Sequence, residues 1–477
     1  MKKLKLFIEN FMVYGLGGII SKIVPLIMVP IITRIMPSSE YFGISDLSNT
    51  VISFASALAV IGMYDAMYRL FFEKDEHEYK TTVCSTAFVF TCCTSLVIFL
   101  LMLLLKNEIA KIFFGDRELA YLVYITAIAT LVSATNSIIA APTRMQNKRK
   151  VFLVTNTLSP ILSYTIAVPM LLKGYYVIAL PLAALVSGLT LEIAFGVMNH
   201  HWFNVKKFDI KLLKQLLIIA VPLFPNFLIY WLFNSCDKVM ITNFLNIGEA
   251  GVYAVGSKLG HASQLIYTAF AGGWQYFAFS TMKEDNQVET NSKIFEYLGA
   301  ISFAITAFVC ALSYPIYEIL FPEQYLRGFI IAPYLFLAPL LQMLFQVAAN
   351  QFIVIKKTWP NMVILSAGAI LNILINYVLI PILGIEGAAI ATLLGYAVSD
   401  IICVIVLCKM KLMVITGKFV AVTSVMMAFI LIWRVSFSDN TVMGTILAVV
   451  VSIIFTFIYK NDIKKLINAA RKKGKNA

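Results

Sequence analysis

Charge is what this sequence has least of. Asp, Glu, Lys and Arg make up 13% of its 477 residues, about half the roughly 25% of a soluble domain. Hydrophobic residues make up 60%, with a mean hydropathy of +0.85. Polar residues that sparse cannot cover a globule in water, so the chain reads as a membrane protein. The seven cysteines (Cys84, Cys92, Cys93, Cys236, Cys310, Cys403 and Cys408) fall in apolar stretches with no CxxC pair and no histidine cluster beside them. Neither a disulfide framework nor a resident metal site is expected. No Walker A pattern, kinase-like glycine loop, HExxH or nucleophile elbow occurs, so no cofactor is expected, and work would come from an ion gradient, the membrane potential or a substrate's own gradient.

A membrane-crossing helix needs about 20 apolar residues, and with short connections the length accommodates about 14 of them and no extramembrane domain. That excludes an enzyme whose catalytic domain sits outside the bilayer. Apolar windows fall at 11–35, 41–64, 82–105, 119–141, 151–172 and 176–198, then, after a basic break, at 216–242, 250–273, 294–321, 329–355, 360–383, 387–408, 419–433 and 442–459. The basic, apolar start MKKLKLFIEN reads as an uncleaved first span. With the N-terminus cytoplasmic, NKRK, VKKFDIKLLK, Lys356 with Lys357, KMK and the basic tail all fall on the cytoplasmic side. The net charge of +13 is thus read as the positive-inside bias, with no nucleic-acid partner and both termini in the cytoplasm. Outer connections are short except 106–118, which disfavours membrane glycosyltransferases and polymerases. Trp359 and Trp433 are expected as interfacial anchors.

An internal repeat is visible. NTLSPILSYTIAVPMLLKGYYVIALPLAALVS from Asn156 is echoed by NMVILSAGAILNILINYVLIPILGIEGAAIATLLGYAVS from Asn361, and Glu40-Tyr-Phe-Gly43 by Glu249-Ala-Gly251. The offset of roughly 210 residues is an even number of spans, so the halves are parallel repeats, an arrangement suited to alternating access. The expected division is an N-lobe of helices 1–6 (1–200), a cytoplasmic linker (201–215), a C-lobe of helices 7–12 (216–410), two further helices (411–460) and a basic tail (461–477). Prolines in the first helix of each half, Pro25 with Pro30 and Pro222 with Pro225, either break those helices along a substrate pathway or are ordinary kinks.

Ionisable residues inside spans cost about 2.5–3.5 kcal/mol each on insertion scales and so should line an interior cavity or pair. Lys22 and Lys258 come from different lobes and would make a central cavity cationic, unless each pairs with a carboxylate such as Asp46. His261 is either proton-sensitive or a hydrogen-bonded core residue. Arg34, Asp46 and Arg69 complete the candidate substrate-cavity set; Asp65 and Arg69 are spaced for an ion pair or a substrate entrance. Asn372 and Asn376, one turn apart, with Asp237 and Thr392, could ligate an alkali cation or could simply join helices.

The runs GLGGIISKIVPLIMVPIITRIMPSSEYFGISDL, IGMYDAMYRLFFE, FNSCDKVMITNFLNIGEAGVYAVGSKLG and LNILINYVLIPILGIEGAAIATLLGYAVSD resemble the Wzx-type polysaccharide-repeat-unit flippases of the MATE/MOP superfamily. The resemblance implies the MOP flippase fold: all-α and multi-pass, with 14 helices in two parallel six-helix lobes plus two. It implies a transporter, not an enzyme, that moves an undecaprenyl-diphosphate-linked oligosaccharide across the cytoplasmic (inner or plasma) membrane by alternating access. Lipopolysaccharide, O-antigen and capsule all remain possible destinations. The related lipid II flippase is similar in having a cationic cavity and, in some members, a sodium site; Asp237, Asn372 with Asn376, and Thr392 match its places. Asn376 stands where that pattern has a carboxylate, so Na+ and H+ coupling both stay open. The last two helices are implied to lie beside the lipid tail, and a polysaccharide polymerase and chain-length regulator are implied partners. The alternatives are a MATE-like multidrug or cation exporter, and a non-transporting subunit of an envelope-polysaccharide complex.

Overall fold

The computed structural model describes residues 23–357 and 359–464; Lys22 and most of the expected first span lie outside them. Among the described residues the chain is helical throughout, without a strand. In order the helices are α1 (Ile23–Ile35), α2 (Ser39–Val60), α3 (Met63–Phe71), α4 (His77–Leu104), α5 (Lys106–Ile109), α6 (Ala120–Ile139), α7 (Ala141–Met145), α8 (Arg149–Leu172), α9 (Ala179–Asn199) and α10 (Ile210–Trp231). There follow α11 (Asp237–Phe244), α12 (Ile247–Gly260), α13 (Gln264–Ser280), α14 (Gln287–Leu320), α15 (Ala332–Val354), α16 (Trp359–Leu383), α17 (Ile385–Lys409), α18 (Gly417–Ile432) and α19 (Thr441–Ile458).

Eleven helical stretches of the described chain are long and apolar enough to cross a membrane, against about fourteen expected. The shortfall has local causes. The first span is described only from Ile23, α8 is diluted by its Thr, Asn and Ser residues, and the eighth span is interrupted by a 3-10 turn at His261–Ser263. Apolar surface also faces outward: only 22% of the most apolar window of α4 is buried, as it is for α19. Such helices are stable only where lipid covers them, and the chain is a multi-pass membrane protein.

The chain divides into two compact units, Met1–Val255 with Ile373–Ala388, and Gly256–Asn372 with Ala389–Ala477. In the first, the expected second span breaks where Ile61 (φ 49°) and Gly62 (φ 73°) turn the chain into α3. Gly62 is needed there for its backbone conformation and because a Cβ would stand 2.7 Å from the Ala220 carbonyl oxygen. Met63, Met67, Leu70 and Phe71 then pack with Trp202 and Leu216 in one apolar cluster. The connection after α5 is itself helical, with Asn243 Nδ2 donating to the Ile112 carbonyl at 2.7 Å.

Glu40-Tyr-Phe-Gly43 and its echo Glu249-Ala-Gly251 meet. α2 and α12 cross at Gly43 and Gly251, so closely that a Cβ on Gly43 would lie 2.4 Å from the Ile247 oxygen and one on Gly251 2.0 Å from the Ser39 oxygen. Small residues permit such a crossing in a membrane.

A second pair of matching features lies in the joints. In the first unit the linker is tied to α4, with Asn204 N donating to Ser85 Oγ at 2.9 Å and Asp209 N to Thr86 Oγ1 at 3.1 Å. In the second unit Val414 N donates to Ser292 Oγ at 3.0 Å and Thr416 N to Glu296 Oε1 at 2.6 Å, tying the chain before α18 to α14. Ser85 and Ser292 stand 207 residues apart, as do Asp209 and Thr416. The joint that opens the second series of helices is thus repeated before α18.

One open alternative is decided and one expectation changes. α1 and α10 run through their prolines unbroken; the irregularity comes later, as a π-helical turn at Leu232–Cys236 between α10 and α11. Trp433 is not an interfacial anchor: it opens another π-helical turn and is fully buried, whereas Trp359 is 66% exposed.

Candidate functional site

The π-turn at Leu232–Cys236 delivers Asp237 and Lys238 to the start of α11 inside the first unit. Insertions of this kind re-aim the side chains that follow them. Asp237 is buried, accepting the Tyr253 hydroxyl on Oδ2 and the Lys238 amide on Oδ1. The Lys238 ammonium reaches across to Asp46 of α2 at 2.7 Å, and Asp46 is itself buried. Asp46 therefore faces a lysine already in its own unit, and this cluster of two carboxylates, one ammonium and one phenol is held among three helices. Pairing relieves the cost of charge at that depth.

The other sequence candidates are distributed. Arg34 at the end of α1 and Arg69 in α3 are exposed, and Asp65 and Arg69 form no ion pair despite their spacing. In the second unit, Lys258 is exposed near the end of α12, and His261 begins the 3-10 turn that interrupts the helix. Asn376 is fully buried in the first unit's part of α16. Asn372 and Thr392 belong to the second, where Asn372 Nδ2 donates to Thr392 Oγ1 at 3.2 Å. Two sets of oxygen donors are thus preassembled, Asp237 with Tyr253 and Asn372 with Thr392. Among the described residues no group of three or more His, Cys, Asp and Glu could hold a metal ion.

An open polar space in the first unit lies elsewhere. Two adjoining cavities of about 510 and 350 Å³ run between α6, α8 and α9 and share Ser133, Asn136, Asn156, Ser159 and Leu191. The larger continues to Asn49 of α2, Ser163 and Tyr164; the smaller ends at Tyr64, Thr143 and Arg144. Ser133 and Asn136, and then Asn156, Ser159 and Ser163, recur at three- and four-residue spacing, which places each set on one helix face. Asn136 Oδ1 is buried without a hydrogen-bond partner among the described residues, an acceptor held ready beside the space. Arg144 and the Tyr64 hydroxyl are 3.3 Å apart at the far end. Behind the groove, Ser187 donates to the Ser159 carbonyl at 2.9 Å, fixing α9 against α8. Nearby Glu192 accepts from Thr135 at 2.5 Å and does not line either cavity. Volumes of this size suit a drug-sized ligand, for which pockets run about 300–1,000 Å³.

The ranking of charges over amides and hydroxyls is what hid this groove in the sequence. Its signal was the serine and asparagine spacing on the fourth and fifth spans.

The fold is that of the MOP superfamily. A structure of the lipid II flippase MurJ in an inward closed conformation superposes with a TM-score of 0.73 at 16% identity, covering 95% of this chain and 100% of that one. An inward-facing multidrug resistance MATE family transporter gives 0.65 at 13% identity, covering 82% and 94%. A MOP superfamily transporter from Pyrococcus furiosus gives 0.54 at 14%, covering 85% and 95%. No curated protein sequence matches the chain. Residues 31–329, well over half of the sequence, match the polysaccharide biosynthesis protein family, and the chain belongs to that family.

Proposed function

We propose that this chain is a flippase that moves an undecaprenyl-diphosphate-linked oligosaccharide from the inner to the outer leaflet of the cytoplasmic membrane by alternating access. The observation that carries the reading is the groove among α6, α8 and α9, a row of amides and hydroxyls at membrane depth ending at Arg144. Hydrogen-bonding side chains turned toward an open space in the bilayer need a polar occupant. A sugar on a diphosphate offers hydroxyls to the groove and anionic oxygens to Arg144, while its polyprenyl chain can stay in lipid. Membership of the polysaccharide biosynthesis family supports a carbohydrate cargo. A lipid-linked oligosaccharide is then the partner, with a polymerase and chain-length regulator acting after it.

Energy input from Na+ or H+ belongs to the same proposal. Asp237 with Tyr253, and Asn372 with Thr392, supply hard oxygen donors of the type an alkali cation takes. Asn376, an amide in place of a carboxylate, lowers the charge available to hold it. The termini are proposed to face the cytoplasm, following the distribution of Lys and Arg.

The test is to deplete the chain in its host and measure lipid-linked oligosaccharide in each leaflet. Accumulation on the cytoplasmic side with loss of surface polymer is expected. Normal leaflet distribution with altered drug susceptibility would replace the proposal with an exporter.

A further inference from the structure

We infer that the groove of the first unit is a reader of uncharged sugars, with Arg144 and Tyr64 as its diphosphate-facing end. This inference rests on the flippase reading and adds the class of glycan. The argument starts from what lines the space. Asn136, Asn156, Ser159 and Tyr164 offer both donors and acceptors, and among the described residues Arg144 is the one charged residue lining either cavity. An asparagine amide presents a donor and an acceptor side by side, the complement of vicinal hydroxyls or an N-acetyl group. Asn136 Oδ1 has its acceptor capacity unspent, so a hydroxyl donor brought to it satisfies a buried group rather than displacing a bond already made.

Depth completes the argument. From Ala129 to Ala140, the stretch of α6 that borders the groove, is about 16 Å along the helix axis, about half of a 30 Å hydrocarbon core. A carboxylate placed at the inner end of the groove would find no cation among its described lining residues and would lose its hydration at a cost that neutral hydroxyls avoid. Arg144, by contrast, stands at the opposite end with a guanidinium, whose planar donors match phosphate oxygens. The groove is therefore graded, from a cation for the diphosphate to neutral hydrogen-bonding groups for the sugars. Tyr164 adds an aromatic face against which the C–H side of a pyranose can lie.

The test uses the full chain purified into lipid nanodiscs and three soluble probes: farnesyl diphosphate, farnesyl diphosphate bearing two N-acetylhexosamines, and farnesyl diphosphate bearing two hexuronic acids. The neutral disaccharide is expected to bind at least about 10-fold tighter than bare farnesyl diphosphate, and the diuronate no tighter than the bare lipid. Asn136→Ala with Asn156→Ala should erase the sugar-dependent gain and leave affinity for the bare diphosphate unchanged. Arg144→Ala should weaken all three probes by a similar factor. Should the alanine pair fold poorly, Asn156→Leu keeps the volume while removing both hydrogen-bonding groups, and the same loss is expected. If the diuronate binds as tightly as the neutral probe, or the asparagines can be removed without loss, the inference falls and the flippase reading stands. If the wild-type chain binds none of the three, the flippase reading itself falls.

Discussion

The crossing of α2 and α12 gives the sharpest stability prediction. Adding one methyl at Gly251 places carbon 2.0 Å from the Ser39 carbonyl oxygen and 2.8 Å from its carbon. Ordinary contact begins near 3.4 Å, so the first turn of α2 has to retreat by more than an ångström. Both obstructing atoms are backbone, and no rotamer change can move them aside. Overpacking of this kind costs about 1–3 kcal/mol, against which replacing a helical glycine by alanine returns about 0.5–1 kcal/mol. Because the obstruction at 2.0 Å is backbone, the upper part of that range, about 2–3 kcal/mol, applies, and Gly251→Ala should destabilise by about 1–2.5 kcal/mol net, visible as a lowered unfolding midpoint of the protein in nanodiscs followed by tryptophan fluorescence. Gly43→Ala meets the Ile247 oxygen at 2.4 Å and should behave alike. Once one methyl has opened the crossing the second finds room, so the double variant should lose less than the two singles together. A Gly251→Ala protein as stable as its parent, or strictly additive losses, would refute the close crossing.

Three further outcomes are expected. Lys238→Met removes the ammonium 2.7 Å from buried Asp46 and should destabilise by up to about 3–5 kcal/mol, while Asp46→Asn with Lys238→Met should recover part of it; folded yield after extraction reads both. Asp237→Asn should lower the sodium dependence of transport if the cation uses that carboxylate, and sodium-independent transport by both parent and variant would dispose of the site. Glu296→Ala removes the acceptor of the Thr416 amide and hydroxyl and should cost about 1–3 kcal/mol, measured as the midpoint shift against Glu296→Gln, which retains an acceptor.

Hydropathy located most of the helices because span length is set by bilayer thickness and leaves a trace in every window. The glycines of Glu40-Tyr-Phe-Gly43 and Glu249-Ala-Gly251, which echo one another in the sequence, mark the crossing at Gly43 and Gly251. Partner choice was not legible. Asp46 could be seen as costly, but Lys238, its partner, comes from a helix nearly two hundred residues away, and only the fold brings them together. The π-turn before Asp237 has no compositional sign, whereas the prolines, which left breaks and ordinary kinks both open, are accommodated by continuous helices. Trp433 was misplaced because an aromatic at a span end looks the same whether it faces the interface or a neighbouring helix. The groove asparagines and serines barely disturb hydropathy, being far cheaper in a bilayer than charges, and so ranked below residues whose expense made them conspicuous.

The last two helices lie outside the sequence repeat, yet they are not an appendage. Phe419 of α18 fills the space a side chain at Gly299 would take, 2.5 Å from where its Cβ would be, and a Cβ on Gly444 of α19 would stand 3.3 Å from the Ala311 Cα. Glu296 holds Thr416, and Tyr459 lies within 3.5 Å of the same carboxylate. Trimming this chain at residue 410 would not leave a sound remainder, because α14 would be left with an open notch at Gly299 and a carboxylate stripped of its donors. Shortening the protein would first require α14 to be rewritten with larger side chains and without that acid, so the helix count is written into a residue more than a hundred positions upstream of the helices it keeps.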